Sequence, residues 1–231
     1  MKSSIPTAPI SKEVIHSVAF KLKHGAGSAE EKKFLDETWN RLSGLPGVMD
    51  FKINRQVSEK NPYDFELDMK FENLAAYEAY DQHPAHWDRD ADTGYVPELW
   101  MNEVDIFLEK DTQALAQQPV QPVGDSEIHH TVAFALKHAP GSKEEAAFLQ
   151  ISWDMLSALP GVKNFAICKQ ISEKSPYDFE LTMDFDSRQA YDAYSSHPNH
   201  FDEVNNKGYV PEYWMNEVAE FLEKDTVFVR R

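Results

Sequence analysis

The sequence predicts an α+β fold of two ferredoxin-like domains, each β-α-β-β-α-β, packed sheet to sheet within one chain. Three observations predict it. The first is an internal repeat: residues 14–112 align with residues 128–226 at a constant offset of 114, without a gap, and about 58 of 99 positions are identical. LPGV, PYDFEL, GYVPE and WMNEV all recur. Copies of about 100 residues are domains rather than solenoid units. The second is the order of hydrophobic periods in each copy, strand and helix alternating in that sequence. The third is a mixed strand face in each copy that a second copy can cover. The expected division is a tail over 1–12, a domain over 13–112, a Gln/Pro-rich linker over 113–126 and a domain over 127–231.

Each element has its own warrant. In residues 16–22, His16, Val18, Phe20 and Leu22 share one face of a strand. Gly27-Ser28-Ala29-Glu30-Glu31 supplies an N-cap and an acidic first turn. Phe34, Leu35, Thr38, Trp39 and Leu42 then follow at helical spacing, and Pro46-Gly47 ends the helix. Residues 51–57 alternate as a second strand. After a turn at 58–62, Phe65, Leu67, Met69 and Phe71 mark a third. Residues 74–81 form a short helix that stops near His83-Pro84, because the residue before a proline avoids the helical region. Val104, Ile106 and Leu108 mark the fourth strand. The opposite strand face carries Ala19, Lys21, Lys52, Asn54, Glu66, Asp68 and Phe107, and two copies can bury it against each other.

Composition narrows the function classes. Lys plus Arg number 23 against 39 Asp plus Glu, a formal charge of −16, and such a surface repels phosphate backbones and anionic lipid. Nucleic acid and membranes are not expected partners. Cys168 stands alone, which excludes an internal disulfide and a cysteine metal cluster. No apolar run approaches the roughly 20 residues that span a bilayer, and the first residues lack the apolar core of a secretory signal. A soluble, cytoplasmic protein is expected. A phosphate loop, a nucleophile elbow and a dinucleotide fingerprint are all missing from the sequence.

Together, the opening strand with His16, Leu45-Pro46-Gly47-Val48, Pro62-Tyr63-Asp64-Phe65 and Ala79-Tyr80-Asp81-Gln82-His83-Pro84-Ala85-His86 resemble the stress-responsive α/β-barrel (Dabb) family. The second copy repeats them with His130, Leu159-Pro160-Gly161-Val162, Pro176-Tyr177-Asp178-Phe179 and Tyr194-Ser195-Ser196-His197-Pro198-Asn199-His200. The resemblance implies a dimeric α/β barrel, here formed as an intramolecular pseudo-dimer. Family members include binders of small apolar molecules, a plant polyketide cyclase and proteins known only as stress-induced. In the cyclase-like members the histidine matching His86 is the general base and the tyrosine matching Tyr80 its partner. The resemblance therefore implies His86, Tyr80 and His16 as catalytic in the first copy, and His200, Tyr194 and His130 in the second. One departure stands out: where cyclase-like members place a further histidine on strand three, this chain has Phe65 and Phe179.

Histidine is the side chain that exchanges a proton near neutral pH, and Tyr80 lies one helical turn from His83, so phenol and imidazole can converge. A pocket lined by His83, Val18, Phe20, Phe34, Leu35, Leu67, Trp87 and Trp100 would hold a flat apolar substrate. Its counterpart uses His197, Val132, Phe134, Phe148, Leu181, Phe201 and Trp214. The plain alternatives stay open: His83 as a helix cap, Tyr80 as a core aromatic, His16 as a satisfied buried histidine, and the 95–102 run as a rigid lead-in to strand four. Neither a metal nor a cofactor is expected. Pro84 and Pro198 break the register that would align each histidine pair on one ion, and Glu66, Asp68 and Glu103 fit ion pairs better than a Mg²⁺ site. Three functions follow: a cofactor-independent cyclase or lyase acting on a small apolar or aromatic carbonyl compound, a non-catalytic binder of apolar metabolites, or a structural stress protein.

Overall fold

The computed structural model describes residues 4–124 and 127–230. The chain forms two compact units. One comprises Lys12–Gln56, Pro62–Asp111 and the residues from Phe228 on; the other comprises the chain up to Ser11, Val57–Asn61 and Thr112–Val227. The first repeat supplies β1 (Val14–Leu22), α1 (Ala29–Leu42), β2 (Met49–Gln56), β3 (Phe65–Phe71), α2 (Leu74–Asp81), α3 (Pro84–Trp87), a π-helical turn (Val96–Trp100), α4 (Met101–Glu103) and β4 (Val104–Gln117). The second supplies β5 (Ile128–Leu136), α5 (Lys143–Leu156), β6 (Lys163–Gln170), β7 (Phe179–Phe185), α6 (Arg188–Ser195), α7 (Pro198–Phe201), a π-helical turn (Val210–Trp214), α8 (Met215–Glu217) and β8 (Val218–Arg230). The class is α+β with two ferredoxin-like repeats.

In the unit around the second repeat the strands run β8-β5-β7-β6, each antiparallel to its neighbour. In the other unit β1 and β2 flank β3 in the same sense, with Val18 opposite Leu67 and Ile53 opposite Leu67. The alternation read from sequence sets this register, because a slip of one residue would turn every core side chain outward. The helices form where the sequence caps them. Ser28 accepts from the Glu31 N–H, and the Glu31 side chain reaches back to the Gly27 N–H, so both groups tie down the start of α1. Asn73 and Ser187 cap α2 and α6 by accepting from the Ala76 and Ala190 N–H groups. Phe34, Leu35, Thr38 and Leu42 make the buried face of α1.

The structure departs from expectation along the fourth strand. β4 runs on to Gln117, so residues 113–117 are sheet rather than linker, and Ala114 pairs with Cys168. Ile106 and Phe107 are exposed, whereas Lys110, Asp111 and Thr112 are almost fully buried. Phe107 does not belong to the mixed face: it meets Trp100 edge-on at 5.8 Å, on the helix side. The mixed face itself is buried at Ala19, Asn54 and Glu66. Its acidic residues do not form one set. Glu66 pairs with Lys110 at 3.7 Å, Asp68 accepts from Asn54 at 2.5 Å, and Glu103 pairs with His24. No helix among the described residues is long and apolar enough to cross a membrane.

Candidate functional site

The site is clearest around the second repeat. Strand β5 presents His130 directly opposite Asp225 of β8, so the two side chains leave one face of the sheet together. His130 Nδ1 lies 2.6 Å from Asp225 Oδ1, with both side chains buried. Glu223, two residues back along β8, sits 3.9 Å from His130 Nε2. Lys60 completes the cluster. Its Nζ lies 3.1 Å from Asp225 Oδ2, touches Glu223 and donates to the Tyr191 hydroxyl at 2.5 Å. Segment 57–61 is tied to β8, since Val57 N–H donates to the Asp225 carbonyl and the Asn61 amide to that of Glu223. Burial opposes ionisation of Asp225, but its bond to His130 and the nearby Lys60 charge outweigh burial and hold the carboxyl far below the usual range. Asp225 is therefore an anion, and the His130 Nδ1–H donates to it.

The second group comes from the helical side. Tyr194 ends α6, Pro198 starts α7 at its first position, and His200 follows on that short helix. The Tyr194 and His200 ring centres are 4.5 Å apart, and Tyr194 is 6.1 Å from His130. His200 Nδ1 faces the Ser195 carbonyl at 3.0 Å, so Nδ1 carries the hydrogen and Nε2 keeps its lone pair. Burial lowers the His200 pKa below its ordinary value, so the ring is neutral at neutral pH. Burial raises that of Tyr194 well above the usual phenol, so it stays protonated. A base and a hydrogen-bond donor thus face each other.

Gly208 fixes where α7 sits. Its φ is +102°, and a Cβ there would lie 2.6 Å from the Pro198 carbonyl oxygen and 3.0 Å from that of His200. Only glycine permits this approach. Tyr209 then buries its ring and bonds Ser152 at 2.7 Å, and the π-helical turn carries Val210 and Trp214 to the site. The resulting cleft, about 130 Å³, is lined by His130, Glu223, Tyr194 and His200 among apolar side chains including Val132, Leu181, Met183, Trp214 and Phe221.

The first repeat reproduces the arrangement. His16 Nδ1 lies 2.6 Å from Asp111 Oδ1, Tyr80 and His86 are 4.6 Å apart, and His86 Nδ1 faces the Asp81 carbonyl at 3.1 Å. Burial again lowers His86 and raises Tyr80. Gly94, at φ +111°, makes the same approach to Pro84 and His86.

Other residues named from sequence lie elsewhere. Phe20, Phe34, Phe134 and Phe148 are core, packed at a tilt behind Trp100 and Trp214 at 5.0–6.1 Å, and do not line the second-repeat cleft. Trp87 donates to Asp92 at 3.3 Å and stacks on Arg89, while its counterpart Phe201 is absent from the cleft lining. His83 and His197 accept from the N–H groups of Ala85 and Asn199, capping the starts of α3 and α7 rather than the ends of the preceding helices. Leu67 and Leu181 are buried, and Leu181 faces the cleft. Sequence reasoning missed Asp111, Asp225, Glu109, Glu223 and Lys60. The signal was present as Glu-Lys-Asp-Thr, repeated at 109–112 and 223–226 within a strand. Donor atoms of His130, Glu223 and Asp225 lie within 4.8 Å of one another, which is close enough to share a metal ion. The Lys60 ammonium pairs with both carboxylates there and offsets one of their two charges.

The stress responsive A/B barrel (Dabb) domain matches residues 14–101 and 128–211. The chain belongs to the Dabb family. A Dabb family protein with a ferredoxin-like fold from Mesorhizobium loti MAFF303099 is 38% identical to it, over 48% of this chain and 98% of that one, at a TM-score of 0.39. An anthrone oxidase-like protein aligns over 96% of this chain and 93% of its own, at 14% identity and a TM-score of 0.70. A candidate monooxygenase from Fusobacterium nucleatum subsp. nucleatum ATCC 25586 covers 96% and 94%, at 11% identity and 0.64. These last two share the fold alone with this Dabb protein. No curated protein matches the sequence.

Proposed function

We propose that this Dabb protein binds a small apolar or single-ring carbonyl compound in each repeat and moves a proton on it with its own side chains. The observation that carries the reading is the arrangement of a buried His–Asp pair facing a protonated tyrosine and a neutral histidine, present in both repeats. His200 Nε2 takes a proton from the carbon beside the carbonyl. Tyr194, kept protonated by burial, donates a hydrogen bond to the oxygen as negative charge develops there. The protonated His200 returns the proton to the product, while His130, oriented by Asp225, presents Nε2 to the substrate. In the first repeat His86, Tyr80 and His16 take these roles, with Asp111 as the orienting group. Ring closure or elimination then needs only a substrate folded so that the new carbanion meets its target.

Size restricts the substrate. A cavity of about 150 Å³ in another protein holds one benzene ring, and the cleft here is of that order. A single ring or short chain fits, and a longer polyketide would leave most of its length outside. The test is hydrogen exchange: small aryl ketones are incubated with protein in D₂O, and loss of the α-proton signal is followed by NMR. Catalysed exchange that falls at least about 100-fold in His86→Ala/His200→Ala supports acid–base chemistry. Saturable binding with no exchange, unaffected by the variant, would replace this reading with that of an apolar-metabolite binder, which the apolar lining favours. Neither binding nor exchange would leave the stress-protein reading.

A further inference from the structure

The two repeats differ at one clamp. In the first, Arg55 of β2 lies opposite Phe65 of β3, with its guanidinium 4.5 Å from the ring centre and Nη2 2.6 Å from Glu31 Oε1. Glu31 is buried, and its second oxygen accepts from the Gly27 N–H. A planar, weakly hydrated guanidinium suits a carboxylate on one side and an aromatic face on the other. The second repeat keeps the frame. Glu145 is buried at the equivalent place on α5 and accepts from the Gly141 N–H at 3.1 Å. Phe179 of β7 again lies opposite the residue that would clamp onto it. That residue is Lys169, which has neither an ion pair nor a ring contact among the described residues. A cavity of about 310 Å³ opens there, lined by Glu145, Lys169, Gln170, Tyr177, Asp178 and Phe179 among others.

We propose that this cavity binds the guanidinium end of a small organic cation, between the Glu145 carboxylate and the Phe179 ring, in the place that Arg55 fills in the first repeat. Chemistry and charge agree. Glu145, Glu173 and Asp178 outnumber Lys169 around the opening, so a cation is favoured over an anion. Neighbouring polar groups, the Gln170 amide and the Ser172 and Ser175 hydroxyls, suit the polar remainder of such a molecule. The cavity shares no lining residue with the His–Tyr cleft, so it stands or falls apart from the proposed chemistry.

The first repeat supplies the control. Methylguanidinium is titrated into the full chain while the backbone amides of Glu145, Lys169 and Phe179 are followed by NMR. Saturable shifts are expected with a Kd on the order of 1 mM, as befits so small a ligand, and none with neutral N-methylurea. Lys169→Arg should fill the cavity from within and weaken binding at least about tenfold. Arg55→Lys should open the first-repeat counterpart and add a second set of shifts at Glu31 and Phe65. No saturation below about 50 mM in the native chain, equal shifts with N-methylurea, or undiminished binding in Lys169→Arg would overturn the proposal.

Discussion

His86 and His200 carry opposite instructions from their surroundings: a carbonyl fixes one ring nitrogen as a donor, while burial disfavours a second proton. A histidine so placed binds fewer protons when folded than when unfolded. Its contribution to stability is therefore complete above the unfolded value, about 6.5, and is lost as pH falls below that toward the lowered folded value. Two such groups should make the melting temperature fall as pH drops below about 6.5, with a shallower slope in His86→Phe/His200→Phe. A melting curve with no difference in slope between the native chain and the variant would contradict this. The proposed α-proton exchange should weaken as pH falls below about 6.5, because His86 and His200 must be unprotonated to accept the proton. Asp225 works in the same direction but at lower pH, since its carboxyl is held below the ordinary range by His130 and Lys60.

Glycine governs position one level up. Each short helix that carries His86 or His200 is pressed by a left-handed glycine, Gly94 on α3 and Gly208 on α7. Gly208→Ala places a methyl 2.6 Å from a backbone oxygen and also imposes a strained φ, so either the loop or α7 must move. The expected cost is about 1–3 kcal/mol in denaturant unfolding, together with a changed environment for His200 in histidine NMR. An alanine variant of native stability would show that the helix yields freely. These elements were legible in sequence: alternation gave the strands, and the proline rule placed the end of α2 at Asp81. The far half of β4 was not. Lys110 and Asp111 lie beyond the three apolar residues that mark strand four in the sequence, yet both are about 1% exposed, and their partners Glu66 and His16 lie 44 and 95 residues away. His16, Tyr80 and His86 could be grouped by resemblance, but Asp111 and Lys60 required the strand register.

At the scale of the molecule, charge dominates. A formal −16 on 231 residues means that the folded chain repels itself, and the buried Lys224, pushed down to about 7 by burial beside Glu180, adds little positive charge above that pH. Raising NaCl from about 10 to 150 mM shortens the screening length to roughly 8 Å and should raise the melting temperature by a few degrees. A flat or falling response would mean that specific ion pairs, such as Lys60 with Glu223 and Asp225, outweigh the general repulsion.

The division of the chain into units bears on how it is made. Phe228 and Arg230 belong with the first-repeat unit, where Phe228 lies under Lys52, and Arg230 stacks on Trp39 and pairs with Asp36. A ribosome releases these residues only after it has translated the entire second repeat. At about 5–20 residues per second, the first repeat waits several seconds for its last pieces. In that interval Trp39 and Lys52 are left without the contacts that Arg230 and Phe228 supply. Nascent chains stalled before residue 228 should therefore be better chaperone clients than the finished protein, although the repeat they expose comes first in the message.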